Sequence, residues 1–196
     1  MNQAMHYHAS ATGTPAVVWT KQVADLESPV AMMLKLKQEE PCSFLLESVL
    51  GGEQRGRYSI LALDPDLIWR CHKGEAEISD GSLADADFRP CDHSPLPALK
   101  MLLRESRFDL PQELPPMAAG LIGYLGYTMV AQMERLLLRM PDPIGIPDAC
   151  FLRPRITVIH DSVAGVVFVT ATIWRLEPGQ TPEQAREAAE HDEVQR

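Results

Sequence analysis

Apolar and polar positions along the chain follow strand periodicity in many short runs and helix periodicity in a few. Pro15 to Val23 (PAVVWTKQV) predicts a first strand. Ser28-Pro29 then opens a helix, with Ser28 as N-cap and Pro29 at the first helical position, where its missing N–H costs nothing. Val30, Met33, Leu34 and Lys37 follow at helical spacing, and the helix should stop before Pro41. The middle of the chain predicts a meander. Ser43 to Leu50 is a strand, the glycine-containing run 51–56 a loop, and Arg57 to Leu63 the returning strand. Asp64-Pro65-Asp66 reads as a turn, followed by strands over Leu67 to His72 and Glu75 to Ser79, with Lys73-Gly74 and Asp80-Gly81 as their turns.

From Ser82 to Ser94 the pattern is polar and weak, as in a surface excursion, and Pro97 to Arg107 predicts an amphipathic helix with Leu99, Leu102 and Leu103 inward. A proline-bounded connector (Gln112 to Pro116) leads to MAAGLIGYLGY, read as a buried strand running into a helix over Thr128 to Leu138. Ile156 to His160 and Val166 to Trp174 are two strong strands around an Asp161 to Gly165 turn. The final TPEQAREAAEHDEVQR has a threonine cap and helix formers but no closing glycine, which suggests a helix cut from a longer chain. Residues 1–14 are small and polar and are expected to be flexible. The mixture of hairpins with a few helices predicts an α+β fold built on a mostly antiparallel sheet.

Composition narrows the function classes. Across 196 residues the formal net charge is −9, and no basic stripe extends beyond groups such as Arg153 to Arg155. A polyanion is repelled on average, so neither nucleic acid nor an anionic membrane is an expected partner. No run approaches the roughly 18 consecutive apolar residues of a membrane span, no secretory signal opens the chain, and the expected location is the cytoplasm. Cys42, Cys71, Cys91 and Cys150 are too widely separated for a zinc site or a CxxC redox pair, so free thiols are expected.

Candidate chemistry is sparse. No Ser–His–Asp or Cys–His constellation can be argued, and the histidines are scattered. Gly120, Gly123 and Gly126 have GxxGxxG spacing, not the GxGxxG of a dinucleotide fingerprint, and no Gly-Lys-Ser or Gly-Lys-Thr follows. Their expected role is steric, letting a strand and the following helix approach beside Tyr124 and Tyr127. Phe44 to Ser48 (FLLES) is different. Its continuous apolar run implies burial on both faces, yet it ends in a carboxylate and a hydroxyl, Glu47 and Ser48. Burying such groups without partners costs roughly 1–3 kcal/mol each. They either brace the glycine turn through backbone partners or serve a small polar ligand, and composition leaves both open.

The longer segment FLLESVLGGEQRGRYSILALDPDLIWR (Phe44 to Arg70) resembles the amino-terminal part of anthranilate synthase component I. GLIGYLGYTMV is similar to that family's GYxGYD block, and IGIPDACFLRPRITVIHD to its hydrophobic-Pro-Asp segment leading into a central strand. The last two blocks are shared with relatives such as aminodeoxychorismate synthase component I. One departure stands in the second block, where Thr128 occupies the place of the aspartate.

The resemblance implies a subunit, a carbon–oxygen lyase in its full-length form, that converts chorismate to anthranilate. It would use Mg²⁺ and ammonia from a glutamine amidotransferase partner, component II. It further implies feedback inhibition by L-tryptophan at an effector site formed by Leu46, Glu47 and Ser48. Residues 15–178 would then be the effector-binding domain, part of a larger α/β/β/α sandwich. Residues 179–196 would form a linker helix toward a chorismate-binding domain that carries the catalytic residues and the Mg²⁺ ligands; none is assigned in this chain. Aminodeoxychorismate synthase component I and a free-standing amino-acid-sensing module are the alternative expectations.

Overall fold

The computed structural model describes residues 5–11, 14–24, 27–36, 42–47, 56–134, 136 and 144–195. Nine strands and three α-helices are present among them: β1 His6–Ala9, β2 Ala16–Val23, α1 Pro29–Leu36, β3 Phe44–Leu46, β4 Tyr58–His72, β5 Glu75–Ser79, β6 Arg89–Pro90, α2 Pro95–Glu105, β7 Ile122–Leu125, β8 Ala149–Asp161, β9 Val166–Ile173 and α3 Pro182–Gln195. Every pairing whose register is known is antiparallel. This is the α+β fold that the hairpin pattern predicts. None of the described helices is long and apolar enough to cross a membrane, and no disulfide joins Cys42, Cys71, Cys91 or Cys150.

The chain forms two compact units, and β4 and β8 each contribute residues to both. The first unit holds residues 1–64, 108–119 and 154–196. Here β2 lies between β1 and β9, and β9 pairs in turn with β8. Strand alternation splits its core into two clusters. Val17, Trp19, Ile159 and Phe168 pack with Leu114 and Ala118, which is why the proline-bounded connector carries a buried leucine. On the other face Ala24, Leu61, Val158 and Val167 pack with Met32 of α1. Ser28 caps α1, its Oγ accepting the Ala31 amide at 3.1 Å. Thr181 and Gln184 cap α3 reciprocally, each side chain accepting the other's backbone amide, at 3.2 and 2.9 Å. β1 lies in the segment expected to be flexible. It pairs with β2, and the His6 ring stacks on Trp19 with centroids 5.2 Å apart.

The second unit holds residues 65–107 and 120–153. Leu67, Trp69 and Cys71 of β4 present one apolar face, on which Ala98, Leu99 and Leu102 of α2 pack. Leu103, expected inward, is 50% exposed; the buried stripe of α2 runs through Ala98 instead. The β4–β5 hairpin closes on Lys73 and Gly74, both with positive φ, 51° and 79°. Two such residues make the tight turn whose twist matches the strands it joins.

Two expectations about connections fail. Asp64-Pro65-Asp66 is no reverse turn, because β4 runs unbroken through it for 15 residues. Asp64 takes a left-handed φ of 48° and re-aims the strand without reversing it. Each carboxylate then meets an arginine of β8: Asp64 with Arg155 at 3.3 Å, and Asp66 with Arg153 at 2.6 Å. The expected helix over Thr128 to Leu138 is, among described residues, a 3-10 turn over Tyr127–Gln132. Gly126, the residue before it, is its N-cap and makes no side-chain hydrogen bond there.

Candidate functional site

The FLLES segment becomes a strand of only three residues. Phe44, Leu45 and Leu46 pair with Ala62, Leu61 and Ile60 of β4. Alternation sends Leu45 to the face covered by α1, where it packs against the cluster containing Met32 and Val158. Leu46 points the other way and is 50% exposed, and Glu47 beside it is exposed too. Burial on both faces, expected from the apolar run, is therefore not what forms. Among the described residues, α1 covers the side of β3 that carries Leu45. Ser48 lies outside the described residues. At the end of β3, Leu46 thus offers apolar surface and Glu47 a carboxylate that can accept hydrogen bonds from a cation or an amide.

The platform under this segment is the start of β4. Continuing the antiparallel register by one residue sets Glu47 opposite Ser59, which is buried. Arg57, just before β4, lies over the Tyr58 ring at 4.9 Å and forks onto Asp161 at the end of β8. Its Nε donates to both carboxylate oxygens at 3.0 Å and its Nη2 to Oδ2 at 2.6 Å. Asp161 is 2% exposed, and its Oδ1 also accepts the backbone amides of Val163 and Ala164 at 3.1 Å. The Arg57 guanidinium, with those two amides, holds the Asp161 carboxyl below the usual carboxylate range against the opposing effect of burial. Ser162 adds its amide, at 2.9 Å, and its hydroxyl, at 3.0 Å, to the Arg57 carbonyl. Sequence reasoning missed this pair: 104 residues separate its members, and only the strand register brings them together.

A separate cavity of about 210 Å³ lies in the same unit, lined by Met32, Leu36, Val158 and Val167 and bordered by the Glu27–Lys35 ion pair. Neither Leu46 nor Glu47 reaches it.

The glycine–tyrosine block belongs to the second unit, and its steric reading holds at two of three positions. A Cβ on Gly123 would lie 2.0 Å from the Cys150 carbonyl oxygen, and one on Gly126 would lie 2.7 Å from that of Asp148. Gly120 has open space around it. The close neighbour is β8, with which β7 pairs, rather than a following helix. Nor is the strand buried, since Tyr124 and Leu125 are 42% and 48% exposed. Thr128 does not cap the turn. Its hydroxyl donates to Asp148 at 2.6 Å, and Asp148 also accepts the Gly74 amide at 3.3 Å. An aspartate at 128 would set a second carboxylate against Asp148, so threonine suits this neighbour better. Asp85, in the polar excursion over Ser82 to Ser94, is exposed as expected and pairs at 2.6 Å with Arg70, whose guanidinium lies 3.7 Å from the centre of the Phe88 ring.

Among the described residues no group of three or more His, Cys, Asp and Glu side chains could hold a metal ion. No family model matches the chain. Known proteins do. Over 163 residues, 83% of this chain and 33% of the relative, it is 45% identical to anthranilate synthase component 1 of Cereibacter sphaeroides. It is 33% identical to the protein of that name from Thermus thermophilus over 83% of this chain and 32% of the relative. It is 35% identical to that of Pseudomonas aeruginosa over 74% and 29%. The chain thus spans about a third of the length of the curated relatives it matches. The crystal structure of anthranilate synthase component I from Streptococcus pneumoniae superposes with a TM-score of 0.52 at 22% identity, over 89% of this chain and 36% of that one. That likeness shows a shared fold.

Proposed function

From the premise that this chain is a relative of anthranilate synthase component I, a third of its length, we propose that it is the regulatory amino-terminal region of such an enzyme. In this reading L-tryptophan binds at Leu46, Glu47 and Ser48 and lowers the conversion of chorismate and ammonia to anthranilate, which proceeds elsewhere in the protein. The carrying observation is the end of β3, where half-exposed Leu46 closes the paired strand and exposed Glu47 follows it directly. An indole ring would cover Leu46, and the α-ammonium would meet the Glu47 carboxylate in a charge-assisted hydrogen bond. Because one side of this wall is open, the rest of the protein completes the pocket. The effector then works by binding more tightly to the less active of two arrangements. Mg²⁺ and the catalytic groups belong to the remaining two thirds of the protein, in a larger sandwich, and an amidotransferase subunit supplies the ammonia.

The test is an assay of the full-length protein with chorismate, Mg²⁺ and ammonium, following anthranilate by its fluorescence while L-tryptophan is titrated. Inhibition is expected, and Ser48→Ala or Glu47→Gln should raise the half-inhibiting concentration roughly tenfold or more with uninhibited turnover retained. A hydrogen bond to a charged group is worth about 1.5–3 kcal/mol, and 1.4 kcal/mol is a factor of ten. Formation of aminodeoxychorismate instead, or no response to tryptophan, would overturn the proposal. So would tight tryptophan binding by this chain alone in calorimetry, since a half-built pocket binds weakly.

A further inference from the structure

We infer that the Arg57–Asp161 pair, with Ser162, is a positioning clamp that sets how strongly the effector segment responds. The inference rests on the effector reading above. β3 is held through three residue pairs to Ala62, Leu61 and Ile60, so Leu46 and Glu47 stand where the first residues of β4 put them. That end of β4 is tied to the β8–β9 turn. Arg57 forks onto a carboxylate that is itself fixed from its other side by the Val163 and Ala164 amides. Ser162 holds the Arg57 carbonyl through both its amide and its hydroxyl. The acceptor is rigid and buried, and the guanidinium fork fixes direction as well as distance. The start of β4 is therefore tied at both its side chain and its backbone, and with it the effector wall laid on it. A binding wall works only when held within about 0.5 Å of its productive geometry by such supporting contacts. Arg57 and Asp161 are positioning residues; the effector touches Leu46 and Glu47.

The experiment measures the full-length enzyme's response to L-tryptophan. Asp161→Asn keeps the shape but removes the charge that orients Arg57. It should raise the half-inhibiting concentration about fivefold or more, within the usual span of allosteric couplings, with kcat and the KM for chorismate unchanged in the absence of tryptophan. Arg57→Lys, which keeps the charge but loses the fork, should give a smaller shift in the same direction, and it serves if the first variant does not fold. Asp66→Asn is the control: it breaks a more deeply buried ion pair, in the second unit, and should leave the half-inhibiting concentration within twofold of the parent. The inference fails if Asp161→Asn stays within that twofold, or if Asp66→Asn shifts the response as far. A parallel fall in uninhibited kcat would also overturn it, since that is general loosening. A parent enzyme indifferent to tryptophan overturns the effector reading itself, which separates the two failures.

Discussion

The buried pair between Asp66 and Arg153 gives the most direct quantitative test of how this chain is held together. The Arg153 side chain is 10% exposed and that of Asp66 2%. Nε to Oδ1 is 2.8 Å and Nη2 to Oδ2 2.6 Å, a parallel fork. The Ser106 hydroxyl stands at 3.5 Å from Nη1, too far to replace a carboxylate. Taking the charge from one partner leaves the other buried without its counter-ion, which costs about 3–5 kcal/mol. Replacing both by apolar side chains of similar volume removes the desolvation penalty together with the attraction, and is expected to be neutral or stabilising by about 1–4 kcal/mol. For a urea dependence of about 2 kcal/mol per molar, Asp66→Asn should lower the unfolding midpoint by about 1.5–2.5 M. Asp66→Leu with Arg153→Met should return it to the parent value or above. Urea unfolding followed by tryptophan fluorescence is the assay, with Trp69 in the same unit. Single variants costing under about 1 kcal/mol, as an exposed ion pair would, would refute the reasoning. A double variant no better than either single would refute it too, because the pair would then contribute something that apolar packing does not supply.

Gly123→Ala should destabilise by about 1–3 kcal/mol through overpacking, since its Cβ would meet backbone at 2.0 Å and the β7–β8 pairing must shift. Faster hydrogen exchange at the Gly126 amide, which bonds the Asp148 carbonyl, would show it, and an unchanged melting temperature would contradict it. Asp161, whose folded-state carboxyl is held low by Arg57, should add stability above the ordinary aspartate value near 3.9. That contribution is lost as pH falls below about 4, through the folded-state value. Asp161→Asn should flatten this acid limb of the stability profile; an unaltered limb would show that the carboxyl titrates alike folded and unfolded.

Local signals that carry their own physical mechanism were legible in the sequence. The Ser28-Pro29 start of α1 and the Thr181–Gln184 start of α3 need no distant partner, because a hydroxyl or amide side chain satisfies amides within its own first turn. Lys73-Gly74 closes its hairpin for the same kind of local reason. The Asp64-Pro65-Asp66 run misled because turn residues describe what the backbone tolerates. Whether it turns depends on neighbours, here Arg155 and Arg153 on a strand about 90 residues later. The Tyr124 to Tyr127 stretch misled similarly, since apolar residues near glycine read as core, yet Tyr127 is 85% exposed.

The candidate site divides along the same line. The FLLES run by itself determined that a strand forms at Phe44 and that a carboxylate follows it, and the longer run to Arg70 carried the resemblance to anthranilate synthase component I. Only the tertiary structure decided which face is which. Leu45 went under α1 and Leu46 was left half-open, because alternation sends the two side chains to opposite faces of β3. The Arg57–Asp161 clamp was likewise invisible along the chain. An ion pair depends on distance in space, and 104 residues of sequence separate these two until strand register closes the gap to 2.6 Å.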